Sequence, residues 1–305
     1  MILLTAMPVS RNPGAVPTVP VVRTLAALLA DRGEHVRVLA PAAEGAPWPE
    51  AVDVHAGRVT DAGAFARAAA GAERVFLAGL VGEPLDDLRR IASALVADGT
   101  RRAVVLGSHG ADFEDAISEE TWQWSAFDRV LGANGVSVLH LRPTAVMANA
   151  SCGGYPITGS HAVASLRAGE PIHEYLPHAP YAFIHEDDLA EAAAALLLDD
   201  RHEGTLDVSG TTVTAAERVA ELNRALGLDG VITEIDAATA AERWRRDGWP
   251  EATIGVMLYA LPAFAASPDN PALRAQEETL RRLIGHPPRT FAQWADAHVG
   301  PPPTG

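Results

Sequence analysis

Apolar residues follow two rhythms along the first half of the chain. Short unbroken blocks alternate with longer stretches in which they recur every three or four positions. Ile2-Leu3-Leu4 is a block of the first kind. Over residues 19–32 the positions Val22, Leu25, Ala26 and Leu29 mark one face of a helix, and Gly33 supplies a stop signal. The same alternation predicts strands over 35–39, 52–55, 74–78, 102–106 and 137–141. It predicts helices from Asp61 to Gly71, over 85–98 and over 122–133. Strands and helices alternating at this spacing form a parallel sheet with helices on both faces, an α/β doubly wound architecture. Such sheets bind ligands beyond the carboxyl ends of their strands. The residues just after each strand are therefore the first candidates for chemistry.

After about Asn149 the rhythm loosens. Gly153-Gly154-Tyr155-Pro156 is turn-rich, residues 187–198 read as a strong helix and 205–208 as a strand. Residues 214–226 read as a helix opened by a capping box, Thr214 with Glu217 three positions on. Residues 237–247 and 252–264 also have helical character.

Composition narrows the chemistry. Of 305 residues, 48 % are hydrophobic and 21 % charged, which fits a folded globular chain. The net charge of −15 argues against a nucleic-acid partner. A single cysteine, Cys152, leaves no disulfide framework and no multi-cysteine metal site. All 24 basic residues are arginine, so Schiff-base chemistry, a Walker lysine and a lysine general base are excluded. No apolar run reaches the roughly 18 residues of a membrane span, and no basic segment precedes the apolar start. The expectation is a cytoplasmic monomer or homodimer that meets a small-molecule substrate rather than a membrane.

An ordered set of segments resembles a known family. It runs from Val22-Arg23-Thr24-Leu25 through Arg32-Gly33-Glu34-His35-Val36-Arg37-Val38-Leu39. Arg74-Val75-Phe76-Leu77 and Gly99-Thr100-Arg101-Arg102-Ala103-Val104-Val105-Leu106 follow. Then come Leu141-Arg142-Pro143 with Asn149, Phe183-Ile184-His185-Glu186-Asp187-Asp188-Leu189-Ala190, and Gly285-His286-Pro287-Pro288-Arg289-Thr290-Phe291-Ala292-Gln293-Trp294. Nearly the whole chain resembles the NmrA-like, atypical short-chain dehydrogenase/reductases of the extended type. The resemblance implies a Rossmann-like nucleotide-binding-type domain over 1–150. It implies a smaller substrate-binding region over 151–300, some of whose elements return to the sheet, and a tail over 301–305.

The departures from that family are specific. Its members carry a strand, then Thr-Gly-Ala-Thr-Gly-x-x-Gly, then a helix, and the glycines let a pyrophosphate approach the helix N-terminus. Here the segment reads Thr5-Ala6-Met7-Pro8-Val9-Ser10-Arg11-Asn12-Pro13-Gly14-Ala15-Val16-Pro17-Thr18-Val19-Pro20. The first two glycines have become Ala6 and Val9, four prolines stiffen the loop, and Gly14 alone remains. After the second strand stands Ala40-Pro41, where relatives carry an arginine or an acid. The family's Gly-Asp-Leu is Gly57-Arg58-Val59. The Tyr-x-x-x-Lys pair cannot exist without lysine. On these grounds no cofactor is favoured. NAD(P)H is kept as the alternative, held by Arg11, Asn12 and Gly14 with Arg58, Ala78 and Gly79, and with Thr18 capping the following helix.

Candidate chemistry clusters after the strands. Ser108 and His109 follow the strand over 102–106, where a hydroxyl beside an imidazole can relay a proton. Tyr155 offers a phenol that can donate a proton or hold an oxyanion. These three are the candidate catalytic residues. Trp124 and Phe127, one helical turn apart, join Thr144, Asn149 and His185 as candidate lining of an apolar substrate pocket. Asp188, at the family's common Asp, reads as a helix cap. The histidines match no compact metal motif, so no metal is expected. The function expected from these features is a non-redox enzyme that isomerises, cyclises, dehydrates or ring-opens an apolar, polyketide-like metabolite. An NAD(P)H-dependent reductase with a remodelled loop and a non-catalytic ligand- or redox-sensing regulator are the alternatives.

Overall fold

The computed structural model describes residues 1–6, 18–41, 47–78, 80, 85–107, 129–152 and 161–300. In chain order the strands are β1 (Ile2–Thr5), β2 (Val36–Ala40), β3 (Asp53–Ala56), β4 (Arg74–Leu77), β5 (Arg102–Leu106) and β6 (Ser137–Pro143). Next come β7 (Ala145–Val146), β8 (Ile172–Tyr175), β9 (Pro180–Ile184), β10 (Gly204–Val208), β11 (Thr211–Thr214) and β12 (Ile232–Ile235). The helices are α1 (Val19–Asp31), α2 (Ala62–Ala69), α3 (Leu85–Ala97), α4 (Asn149–Cys152), α5 (Ala162–Ala168) and α6 (Glu186–Leu198). They continue with α7 (Ala215–Leu226), α8 (Ala237–Arg246), α9 (Glu251–Ala266), α10 (Pro271–Ile284) and α11 (Phe291–His298). Residues 129–133 are helical, the described part of the helix expected over 122–133.

Seven strands form one sheet in the order β10-β6-β5-β4-β1-β2-β3, and each neighbouring pair is parallel. This is the doubly wound order, with the switch of direction between β1 and β4. The central strands are covered on both faces: every residue of β1 and β5 is buried. Successive side chains leave on opposite faces. Ile2, Leu4, Val104 and Leu106 meet Val22, Leu25 and Leu29 of α1, Leu189, Ala193 and Leu197 of α6, and Leu280 of α10. Leu3, Ala103 and Val105 meet Phe65 and Ala68 of α2 and Leu88, Ile91 and Leu95 of α3.

The sheet is completed late in the sequence. β10 lies beside β6, in register from Gly204↔Leu139 to Val208↔Pro143, and an Arg142–Asp207 pair at 2.6 Å clamps the two strands. The alanines of α6 (190, 192, 193 and 194) are fully buried, so the helix axis sits close on the sheet. Arg102, 1 % exposed, donates to the Leu196 and His202 carbonyls and ties the start of β5 to the end of α6. Such a contact satisfies carbonyls that a helix C-terminus leaves without partners.

Beyond β6 the chain builds two small sheets, β11-β9-β7 and β12-β8. Their shared core holds Met147, Leu166, Phe183, Leu222, Phe291 and Trp294. The expected capping box of α7 is present, with Thr214 and Glu217 bonding each other's backbone N–H. β8, β9, β11 and β12 were not anticipated from the sequence, nor were α5, α10 and α11.

Candidate functional site at the carboxyl edge of the sheet

Small residues floor the carboxyl edge. Ala6, Ala40 and Ala78 end β1, β2 and β4 and are all buried, and Gly107 follows β5. Strand ends without bulk leave room for a ligand to approach the backbone. The floor is rigid. The Thr5 hydroxyl accepts from the Ala78 N–H and donates to the Ala78 carbonyl, both at 2.9 Å. Gly107 donates to Leu141 O at 2.9 Å, and a Cβ there would lie 2.3 Å from Nε2 of buried His140. No side chain is tolerated at 107 unless His140 moves.

Past β6 the chain crosses from the large sheet to the small one. Thr144 N–H donates to Val208 O, and Met147 N–H to Ile184 O. This crossing carries two buried polar side chains. Thr144 is 6 % exposed and Asn149 1 %. The Thr144 hydroxyl and the Asn149 carbonyl oxygen have no hydrogen-bond partner among the described residues. A buried polar atom without a partner costs about 1–3 kcal/mol. Two of them lie within six residues, at the carboxyl edge of the sheet, and are open to a polar group from beyond the described residues. Ser209, also buried, and Gly210 follow β10 across the same junction. A Cβ on Gly210 would lie 2.0 Å from Phe183 O.

On the β3 side, Gly57 N–H donates to Ala40 O at 2.9 Å. The turn is tight, since a Cβ at Gly57 would lie 2.5 Å from the Ala64 Cβ. Arg58 follows, exposed, at the carboxyl ends of β2 and β3.

The entry to α6 is a second polar cluster. His185 caps the helix: Nδ1 accepts from the Asp187 N–H at 3.1 Å. The ring is 3 % exposed, and burial pushes its pKa down to about 4. Glu186 is buried as well. Its Oε1 accepts from Trp294 Nε1 at 3.0 Å, and burial pushes its carboxyl up. Asp188 is fully buried and accepts from the Arg289 backbone N–H at 2.7 Å and from the Arg289 guanidinium. Glu191 takes the other arm of Arg289 at 2.8 Å and also bonds His286 at 2.8 Å. Asp188, Glu191 and His286 bring ligand-type atoms within 4.8 Å of one another, with the Arg289 cation on both carboxylates. Sequence reasoning took Asp188 for a cap and did not join it to Arg289. The cap is His185, because its ring nitrogen reaches the second N–H of the helix, while Asp188 turns inward. Thr18 likewise stands at the N-cap position of α1 but makes no side-chain cap hydrogen bond.

The described residues thus include Thr144 and Asn149 at the crossing, His185 at the α6 entry, Ala78 at the floor and Arg58 beside β2. Ser108, His109, Tyr155, Trp124, Phe127, Arg11, Asn12, Gly14 and Gly79 lie outside the described residues.

Comparison with known proteins follows the same line. The NAD(P)H-binding family matches residues 21–200, more than half of the chain. The protein belongs to this NAD(P)H-binding family. No curated protein matches the sequence. Among solved structures, a Staphylococcus aureus nucleoside-diphosphate-sugar epimerase is similar at a TM-score of 0.68 and 16 % identity, over 97 % of this chain and 99 % of that one. An Escherichia coli NADPH-dependent quinone oxidoreductase complexed with NADPH gives 0.66 and 20 %, over 97 % and 99 %. A Citrobacter triphenylmethane reductase complexed with NADP(H) gives 0.66 and 16 %, over 98 % and 99 %. At these identities the likeness is one of fold. The NmrA-like, atypical short-chain dehydrogenase/reductase resemblance drawn from the sequence agrees with it.

One expectation is overturned. No cofactor was favoured, because the glycine motif is missing from the loop after β1. Membership of an NAD(P)H-binding family, and the NADPH, NADP(H) or NAD bound in structures of similar fold, point to a nicotinamide cofactor instead. The physical reason for the error is that a glycine motif is one route to a phosphate site. The floor of small residues and the partnerless polar atoms at the crossing are independent of that motif. Among the described residues no helix is long and apolar enough to cross a membrane.

Proposed function

We propose that this protein is an NAD(P)H-dependent reductase of a small, hydride-accepting organic molecule of carbonyl or quinone type. The observation that carries the proposal is the pair of buried polar atoms without partners among the described residues, Thr144 Oγ1 and Asn149 Oδ1, at the carboxyl edge of a doubly wound sheet. A nicotinamide cofactor bound there supplies a hydride equivalent. The chain's own residues do the rest. Ala6, Ala40 and Ala78 leave the edge open for the nucleotide, and Arg11, Asn12, Gly14 and Gly79 are the loop residues that would complete its hold. The partnerless groups of Thr144 and Asn149 fix the polar atoms of the bound molecules. Reduction of a carbonyl also consumes a proton. Ser108, His109 and Tyr155 are the proposed donors, because each supplies an O–H or N–H group of suitable type. Trp124, Phe127 and His185 stay the proposed lining of the substrate side. Similar folds in a quinone oxidoreductase and a triphenylmethane reductase support the reductase reading over a non-redox conversion, which rested on the missing glycine motif and the missing Tyr-x-x-x-Lys pair.

Calorimetric titration with NADPH and NADH tests the proposal, followed by absorbance at the reduced-nicotinamide band with a panel of quinones and aldehydes. Micromolar binding and substrate-dependent loss of absorbance are expected. Absence of binding up to about millimolar nucleotide, weaker than roughly −4 kcal/mol, overturns it.

A further inference from the structure

We propose that Arg58 selects the cofactor: its guanidinium takes the 2′-phosphate of the adenosine ribose, so the site prefers NADPH to NADH. The proposal rests on the nicotinamide-dependent reading above and goes one step beyond it.

In a doubly wound sheet the adenosine ribose lies near the end of the second strand. An acid there bonds the 2′-hydroxyl and repels a phosphate, whereas an arginine nearby accepts the phosphate. Here β2 ends in Ala40-Pro41, which offers neither a carboxylate nor, at the proline, an N–H. Among the described residues no acid stands at the end of β2. The next strand supplies the charge instead. β3 runs parallel to β2 with Ala56 opposite Ala40, and the Gly57 N–H closes onto Ala40 O. That bond pins the turn, and Arg58 is the second residue beyond the end of β3.

Arg37, Asp53, His55 and Asp61, the other described charged groups on and just after these strands, are already committed. Arg37 is paired with Asp53 at 2.8 Å, and His55 lies 3.1 Å from the same carboxylate. Asp61 spends its Oδ1 on the N–H groups of Gly63 and Ala64, capping α2. Arg58 is exposed and forms no ion pair among the described residues; its carbonyl alone is engaged, by the Asp61 N–H. A guanidinium that is unpaired among the described residues, beside a strand end where those residues place no acid, fits a phosphate monoester, which accepts two parallel N–H bonds from the arginine fork.

The test is a binding measurement on the full-length protein, independent of turnover. Wild type and Arg58→Ala are titrated by calorimetry with NADPH, NADH and 2′,5′-ADP, the last probing the 2′-phosphate without a nicotinamide. Thermal melting of both proteins checks the fold, which this exposed, unpaired side chain should not affect. Wild type is expected to bind NADPH at least about tenfold more tightly than NADH, the ratio that corresponds to 1.4 kcal/mol. Arg58→Ala should lose that advantage and bind 2′,5′-ADP at least about tenfold more weakly, with NADH affinity unchanged. Arg58→Glu should reverse the preference. Equal binding of NADPH and NADH by wild type, or a variant that keeps the NADPH preference, overturns the role of Arg58 and leaves the reductase reading standing. Failure of wild type to bind either nucleotide overturns both.

Discussion

Arg289 holds the fully buried carboxylate of Asp188 twice, once through its own backbone N–H and once through its guanidinium. One residue near the C-terminus thereby fixes the first turn of α6, and α6 in turn covers one face of the seven-stranded sheet. Removing Arg289 strands a buried charge. Arg289→Ala is expected to cost about 3–5 kcal/mol. Asp188→Asn keeps an acceptor for the backbone N–H and should cost less. Urea denaturation of the two variants checks the order, and an Arg289→Ala variant as stable as wild type would show that the guanidinium adds nothing.

The cap of α6 should make stability sensitive to acid. Burial holds the His185 pKa at about 4, below its ordinary value of 6.5. The folded state therefore binds fewer protons than the unfolded one between those values. The stability that neutral His185 contributes is complete above about pH 6.5 and is lost as the pH falls toward 4, up to about 3 kcal/mol from a shift of this size. His185→Asn keeps a capping side chain without the titration. Its unfolding free energy should fall less steeply than that of wild type over this range. Parallel pH profiles would remove the assignment.

Thr144 sets stability against binding. Thr144→Val keeps the shape and deletes a buried hydroxyl with no partner among the described residues. The protein without nucleotide should gain about 1 kcal/mol, since a desolvated, unbonded group is removed. NADPH affinity should fall in the same variant. A melting temperature that drops would show that the hydroxyl is satisfied in solution.

Two glycines separate backbone from side-chain constraint. At Gly210 a methyl meets the carbonyl oxygen and Cα of the facing strand, which cannot turn away; at Gly107 it meets an imidazole. Gly210→Ala should exceed about 3 kcal/mol and Gly107→Ala fall within about 1–3 kcal/mol, the ordinary range of over-packing. Thermal melts of the two variants rank them.

The sheet was legible because its strands are buried on both faces, so that Ile2-Leu3-Leu4 and 102–106 stand out as apolar blocks between helical spacings. β10 was legible as a strand over 205–208, although it is an edge strand and only Val208 of it is fully buried. The small sheets were not. β8, Ile172-His173-Glu174-Tyr175, alternates over only four residues, and β11, Thr211-Thr212-Val213-Thr214, adjoins a helix whose capping box dominates the local pattern. α10 carried a readable start in Asn270 and Pro271 that was passed over. Of the site, Thr144 and Asn149 were reached through their place after a strand. The Asp188–Arg289 pair was not, since 101 residues separate its members and no local rhythm joins them.

The late arrival of β10 has a consequence for synthesis. About sixty residues lie between the end of β6 and the start of β10. At a translation rate of about 5–20 residues per second, the ribosome needs on the order of 3–12 s to deliver them. Through that interval the open edge of β6 has no neighbour, and Val22, Leu25 and Leu29 of α1 wait for α6 to cover them. A nascent chain halted near residue 150 thus exposes both an unpaired strand and an apolar helix face, the combination that holdase chaperones recognise and that aggregates when they are scarce.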